Sequence, residues 1–205
     1  MQKYVALVPV KPPALGKSRL VGLADDDRRA VAAAFALDTV AACLAATMIE
    51  RVLVATDDAV FAGELTGLGA FAIPDGVAVD LNGTLRQSAA EAHRRWPELV
   101  PVALTADLPA VRAEDLDEAL GAVEPGEAAY VADADGLGTT LYTAAYDGFD
   151  PHFGPGSALA HDATGARPIT APLPRLRRDV DDLADLGDAL ALGVGPRTAE
   201  RAASL

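Results

Sequence analysis

The sequence predicts an open three-layer α/β domain with a mostly parallel central sheet, and three observations carry that expectation. Short runs of Val, Leu and Ala alternate with longer segments of helical periodicity. Each short run closes on a polar or Gly/Pro loop, the mark of βαβ units. No internal repeat, low-complexity tail or linker interrupts the order, so residues 1–205 are expected to form a single domain long enough to bury a core.

The elements follow in order. Tyr4–Val10 reads as a buried strand running into a Pro/Gly loop, and Asp25–Ile49 as a helix with Asp25 at its N-cap. Arg51–Ala55 is a second strand, and Thr56-Asp57-Asp58 after it can cap the next helix. Ala70–Ile73 is a third short strand, Leu81–Arg95 a helix and Val100–Thr105 a fourth strand despite its Pro. Glu114–Val123 is helical again and Ala128–Ala132 is a fifth strand. Beyond Asp135 the alternation weakens. Thr139–Ala145 looks like another strand, Phe153 to Gly165 a turn feeding a helix, and Arg177 to Leu192 a strand-like approach followed by a helix.

Composition removes several function classes. Thirty acidic against 17 basic residues give a formal charge of −13, which opposes nucleic-acid binding, whose affinity comes from Lys and Arg on phosphates. A nucleotide site remains open, because a bound divalent cation reverses the local sign. The single cysteine, Cys43, excludes an intrachain disulfide and reads as a small buried hydrophobe. The N-terminus is a poor signal peptide, and no apolar run approaches the roughly 18 residues of a membrane span. A cytoplasmic protein without a membrane partner is expected, with its oligomeric state open to a homodimer.

In an open α/β sheet, ligands bind at the carboxyl ends of the strands. The first loop there, VPVKPPALGKSRL, contains the Gly-Lys-Ser ending of a P-loop, but Lys11 stands where the motif needs its first glycine. Pro12 and Pro13 also remove two N–H donors, so this is no P-loop. Lys11, Lys17 and Arg19 nevertheless supply three cations that can surround a triphosphate, or simply a solvated loop.

Asp107, in TADLP, directly follows the fourth strand and suits magnesium, a hard cation that takes one or two carboxylates with waters and phosphate oxygens; a turn Asp is the alternative. Asp179 and Asp181, in RRDVDDL, share one face of an extended segment, where they repel unless a cation lies between them. Asp182 is expected to point away or cap the following helix. Asp133 and Asp135 fit turn chemistry equally well. In FGPGSALAH, Gly154 and Gly156 permit close backbone approach and Ser157 opens a helix, as an anion site or a plain cap would. His93, His152 and His161 show no metal-ligand spacing, and His161 reads as a packing or surface residue.

Taken as an ordered set, VPVKPPALGKSRL, TADLP, DGLGTT, FGPGSALAH and RRDVDDLADL resemble the guanylyltransferases of deazaflavin coenzyme F420 biosynthesis, from Met1 to about Leu190. The resemblance implies a Rossmann-like nucleotidyltransferase fold and transfer of GMP from GTP to a small phosphorylated three-carbon acid, releasing pyrophosphate. Phosphoenolpyruvate is the favoured acid and 2-phospho-L-lactate the alternative; molybdopterin or a sugar phosphate would be broader ones. Thr139, Gly154 and Ser157 match the positions that hold the acid, and Asp107, Asp179 and Asp181 the Mg2+ ligands. Lys17 matches the loop facing the GTP phosphates and, with Asp107, is the expected catalytic pair. Asn82 and Gly83 resemble the segment that meets the nucleoside. Thr139-Thr140 stands where some relatives carry Thr-Asn.

Overall fold

A computed structural model of the chain describes residues 2–11, 20, 22–76 and 80–205. Lys17 and Arg19 lie outside them. The strands are β1 (Tyr4–Pro9), β2 (Ile49–Ala55), β3 (Phe71–Ile73), β4 (Val100–Leu104), β5 (Ala129–Ala132), β6 (Thr139–Thr143) and β7 (Arg167–Pro168). Among them run the helices α1 (Asp25–Ala45), α2 (Ala59–Gly67), α3 (Leu81–Arg95), α4 (Ala113–Gly121) and α5 (Ser157–Ala163). Three more helices close the chain, α6 (Pro174–Arg177), α7 (Leu183–Leu192) and α8 (Pro196–Ala202). The strands form one sheet in the order β3-β2-β1-β4-β6-β5-β7. All neighbours are parallel except β6, which runs antiparallel to both β4 and β5.

Strand periodicity builds the layers. Along β1, Tyr4, Ala6 and Val8 enter one apolar cluster with α1 and α4, while Val5 and Leu7 enter a second with α3 and α5. Val52 and Val54 against Leu53, and Val102 and Leu104 against Ala103, repeat the division. Both faces are therefore covered, which is why these strands read as continuous apolar runs. Cys43 is buried in the first cluster, and burial pushes its thiol up to about 12. Among the described residues no helix is long and apolar enough to cross a membrane.

Several elements depart from the expectation: β7 has no counterpart in it, and Ala24 rather than Asp25 is the N-cap of the first helix. The first helix ends at Ala45, and Ile49 already belongs to β2. The approach to RRDVDD is the short helix α6, started by Pro174 at its first turn, where a missing N–H costs nothing. The sequence reading contained no α8. That helix docks on α1, where the buried Asp38 carboxylate accepts from the N–H groups of Arg197 (3.3 Å) and Thr198 (2.8 Å). A Cβ on Gly195 would collide with the Asp38 carboxyl group, so glycine is needed at that close approach.

Asp38→Ala is expected to cost about 1–2 kcal/mol by loss of the cap, measured by urea unfolding. Hydrogen exchange should accelerate first in Arg197–Ala202. Acceleration spread evenly over the sheet would contradict this account.

Candidate active site

The carboxyl ends of β1, β2 and β4 share one rim of the sheet, because these strands are parallel. The start of the antiparallel strand β6 reaches the same rim, with Thr105 N–H donating to the Thr140 carbonyl (3.1 Å). The N-terminal turn of α3, carrying Asn82 and Gly83, follows β3 onto it. Lys11 lies just past β1 and is exposed.

Asp107 sits in the turn after β4, and that turn is pinned from two sides. The buried Thr39 hydroxyl on α1 accepts from Leu108 N–H (3.1 Å) and lies 3.4 Å from the Ala106 carbonyl. Val180 N–H donates to the Asp107 carbonyl (3.1 Å), tying the TADLP turn directly to RRDVDD. Two stretches some 70 residues apart are thereby laid side by side.

The result appears in the ionisation of Asp179. Burial first, then the like charges of Asp107, Asp181 and Asp133, push its carboxyl up to about 7. Asp133 earns its place by folding the DADGLG turn, its carboxylate accepting from Leu137 N–H (2.9 Å) and Gly138 N–H (2.7 Å). Asp182 caps α7, accepting from Ala184 and Asp185 N–H (2.8 and 3.0 Å). It is thus separate in role from Asp179 and Asp181.

The arginines beside these acids hold the segment in place. Arg175 makes a two-pronged ion pair with the buried Asp115 of α4 (2.8 and 2.6 Å). Arg177 donates to the carbonyls of Ala132 (2.9 Å) and Ile169 (2.6 Å). Arg178 pairs with Asp185 and Asp188 on α7 (3.0 and 3.3 Å).

Thr139, Gly154 and Ser157 meet on the adjoining stretch of rim. Ala158 N–H donates to the Leu137 carbonyl and Ser157 N–H to the Gly154 carbonyl, both at 3.1 Å, which joins the DGLGTT turn to the FGPGS loop. Gly154 and Gly156 have φ of 135° and 73°, a backbone that side chains rarely adopt. Thr139 and Ser157 are buried, whereas the glycines are exposed.

Two residues here have contacts that the sequence did not announce. The Asn82 amide is engaged with the backbone of Phe153, donating to its carbonyl (3.0 Å) and accepting from its N–H (2.7 Å). It latches α3 to the glycine loop. His161, fully buried, meets the Thr139 hydroxyl through Nδ1 (3.0 Å).

Among the described residues no three His, Cys, Asp or Glu side chains stand close enough to form a finished metal cage. A site for magnesium need not be finished, since this cation keeps waters and uses only one or two carboxylates. A desolvated Asp179 crowded by three other acids is the donor set a hard cation would relieve.

Residues 4–201 match the family described as "Guanylyl transferase CofC like". The chain is 47% identical over 202 residues to a phosphoenolpyruvate guanylyltransferase of Thermomonospora curvata, covering 97% of this chain and 88% of that one. It is 48% identical over 210 residues to a phosphoenolpyruvate guanylyltransferase of Streptomyces scabiei, covering 99% and 97%. A nucleotidyl transferase from Methanothermobacter thermautotroptrophicus has the same fold, with a TM-score of 0.57, 17% identity and coverage of 94% and 98%.

The raised Asp179 carboxyl has a consequence for stability. Its folded value, about 7, exceeds the ordinary 3.8, so the folded state holds a proton that the unfolded chain releases. Stability of the metal-free protein therefore falls as pH rises from about 4 to about 7 and stays lowered above that, by a cost on the order of 4 kcal/mol. Asp179→Asn should raise the melting temperature at about pH 8 by several degrees and give no gain near pH 4. A variant less stable than wild type at about pH 8 would refute the crowding.

Proposed function

This chain belongs to the CofC-like guanylyl transferase family, and from that premise we propose that it transfers GMP from GTP to phosphoenolpyruvate. The products would be enolpyruvoyl-2-diphospho-5'-guanosine and pyrophosphate, as a step of coenzyme F420 biosynthesis. The observation that carries the reading is a paired rim: a crowded acidic stretch directly beside a neutral, glycine-lined one that contains Thr139 and Ser157. The names of relatives at 47% and 48% identity support phosphoenolpyruvate as the acid.

Asp107, Asp179 and Asp181 would hold magnesium, which when bound neutralises phosphate charge and polarises phosphoryl oxygens. Thr139, the Gly154 backbone and Ser157 hold the phosphorylated acid. Lys11, Lys17 and Arg19 face the triphosphate, with Lys17 offsetting charge on the departing pyrophosphate. A phosphate oxygen of the acid attacks the α-phosphorus of GTP in line; the new P–O bond forms as the bond to the β-phosphate oxygen breaks. The phosphate dianion is already a nucleophile, so the reaction requires no general base. The site has none to offer in His161, whose ring burial holds down to about 4. Alignment and charge neutralisation carry the rate.

The test is pyrophosphate release from GTP with magnesium, run in parallel with phosphoenolpyruvate, phospholactate, a sugar phosphate and no acid. Release is expected with phosphoenolpyruvate above all, and Asp107→Ala or Asp179→Ala should abolish it while leaving the protein folded. Near-normal turnover by folded Asp179→Ala would reject the assignment of the acids. Preference for phospholactate would reject the choice of substrate but not the chemistry.

A further inference from the structure

His161 lies on α5 with its ring closed in by Tyr130, Tyr142, Phe153 and His152. It is 0% exposed, and none of the reaction chemistry uses it. Both ring nitrogens nevertheless have defined contacts. The backbone N–H of His152 donates to Nε2 (2.9 Å), and Nδ1 lies 3.0 Å from the Thr139 hydroxyl oxygen. Besides the stacked rings, the polar groups facing this pocket are His152 and Asp150, both from the loop before α5, and the Ser157 carbonyl one turn earlier on the helix.

A backbone N–H can only donate, so Nε2 must present its lone pair and carry no proton. A neutral imidazole then holds its single proton on Nδ1. Nδ1–H is then directed at the Thr139 oxygen, with the Ser157 carbonyl as a second acceptor, so Thr139 is an acceptor on that side. Thr139 cannot direct its own proton at the ring. Among the described residues no hydrogen bond gives that proton an acceptor, and Thr139 opens β6 directly after the turn whose Leu137 carbonyl meets the start of α5.

We propose that His161 is a positioning residue that, through the tautomer imposed by His152 N–H, turns the Thr139 hydroxyl into an obligate donor toward the phosphorylated acid. This rests on the reading of Thr139 as an acid contact. The chain of contacts has a direction: backbone amide to Nε2, Nδ1–H to hydroxyl, hydroxyl to anion. No proton is transferred along it. The burial that keeps the ring neutral also prevents a doubly protonated imidazole, which would break the contact with His152 N–H.

Two substitutions divide the functions of the ring. In His161→Asn the amide nitrogen stands near the place of Nδ1 and can still donate to Thr139. In His161→Gln the longer side chain reaches the place of Nε2 and satisfies His152 N–H but leaves Thr139 without its donor. His161→Gln is expected to raise KM for phosphoenolpyruvate about tenfold, the scale of one lost hydrogen bond, with KM for GTP unchanged. His161→Asn should raise it less. A merely structural role would instead move both KM values together with the melting temperature.

Thr139→Val separates this inference from the reading beneath it. If Thr139→Val leaves KM for the acid unchanged, Thr139 is no acid contact and both fall. If Thr139→Val raises it while His161→Gln does not, only the role of His161 falls. If both raise it, the double variant should be no worse than Thr139→Val alone; additive losses would overturn the proposal. One measurement needs no substitution. Long-range 1H–15N correlation on histidine-labelled protein at neutral pH should show one ring protonated at Nδ1 and bare at Nε2, assigned by its absence in His161→Gln. The opposite tautomer at His161 would overturn the proposal.

Discussion

Like charges brought to one rim of the sheet repel each other, and the fold has to hold Asp107, Asp133, Asp179 and Asp181 there despite it. Backbone connections supply part of the restraint. Val180 N–H on the Asp107 carbonyl and Thr39 on Leu108 N–H fix the TADLP turn without touching any carboxylate at the rim. Arg175, Arg177 and Arg178 stand next to the acids in sequence, yet their guanidinium groups reach Asp115, two backbone carbonyls, and Asp185 with Asp188. The cations brace the segment from behind. The Asp115–Arg175 pair is the strongest of these braces, because its buried carboxylate could not be left unpaired without a cost of several kcal/mol.

The neighbouring stretch is held by different means. Asn82 fastens α3 to Phe153 with two hydrogen bonds, and His161 joins α5 to β6 through Thr139. These are neutral groups among aromatic rings, where full pairing makes each bond count. The chain has few aromatic residues, and Tyr130, Tyr142, Phe149 and Phe153 all gather in the cluster beneath this loop. Elsewhere the core is mainly small and aliphatic. The large rings provide the rigid, dry wall that a fixed imidazole tautomer needs.

The parallel strands were legible because burial on both faces writes them as plain apolar runs. β6 was legible as a strand but not as an antiparallel one, since direction is decided by its pairing with Leu104 and Val131. The acids of TADLP and RRDVDD stood out by following a strand or sharing an extended face. Their adjacency depends on Val180 and Asp107, which no local pattern links. Asp182 was readable as a cap because its geometry is local. Asp38 was not: inside α1 it resembles any charged helix residue, and its partners lie 159 and 160 positions away. α8 was hidden for the same reason, its seven residues carrying no apolar stripe long enough to announce a helix. The two bonds of Asn82 to Phe153, 71 positions away, have no local signature. His161 reads from the sequence as either a packing or a surface residue; it packs, and only the folded chain reveals which hydroxyl it meets.

The contrast between the two stretches follows from their being neighbours. In the proposed reaction both substrates are anions, so a fixed lysine or arginine beside Thr139 would appear the simplest way to hold the acid. Asp133, whose carboxylate folds the turn leading into Thr139, would compete for such a cation. An ion pair formed there would leave the cation less able to hold the acid. A hydroxyl directed by a neutral ring avoids this. It offers a donor to an incoming phosphate or carboxylate but little net charge to the aspartates. Burial of His161 thus suits an acidic neighbourhood: the imidazole stays uncharged because it is enclosed, and an uncharged ring places no cation of its own beside the aspartates.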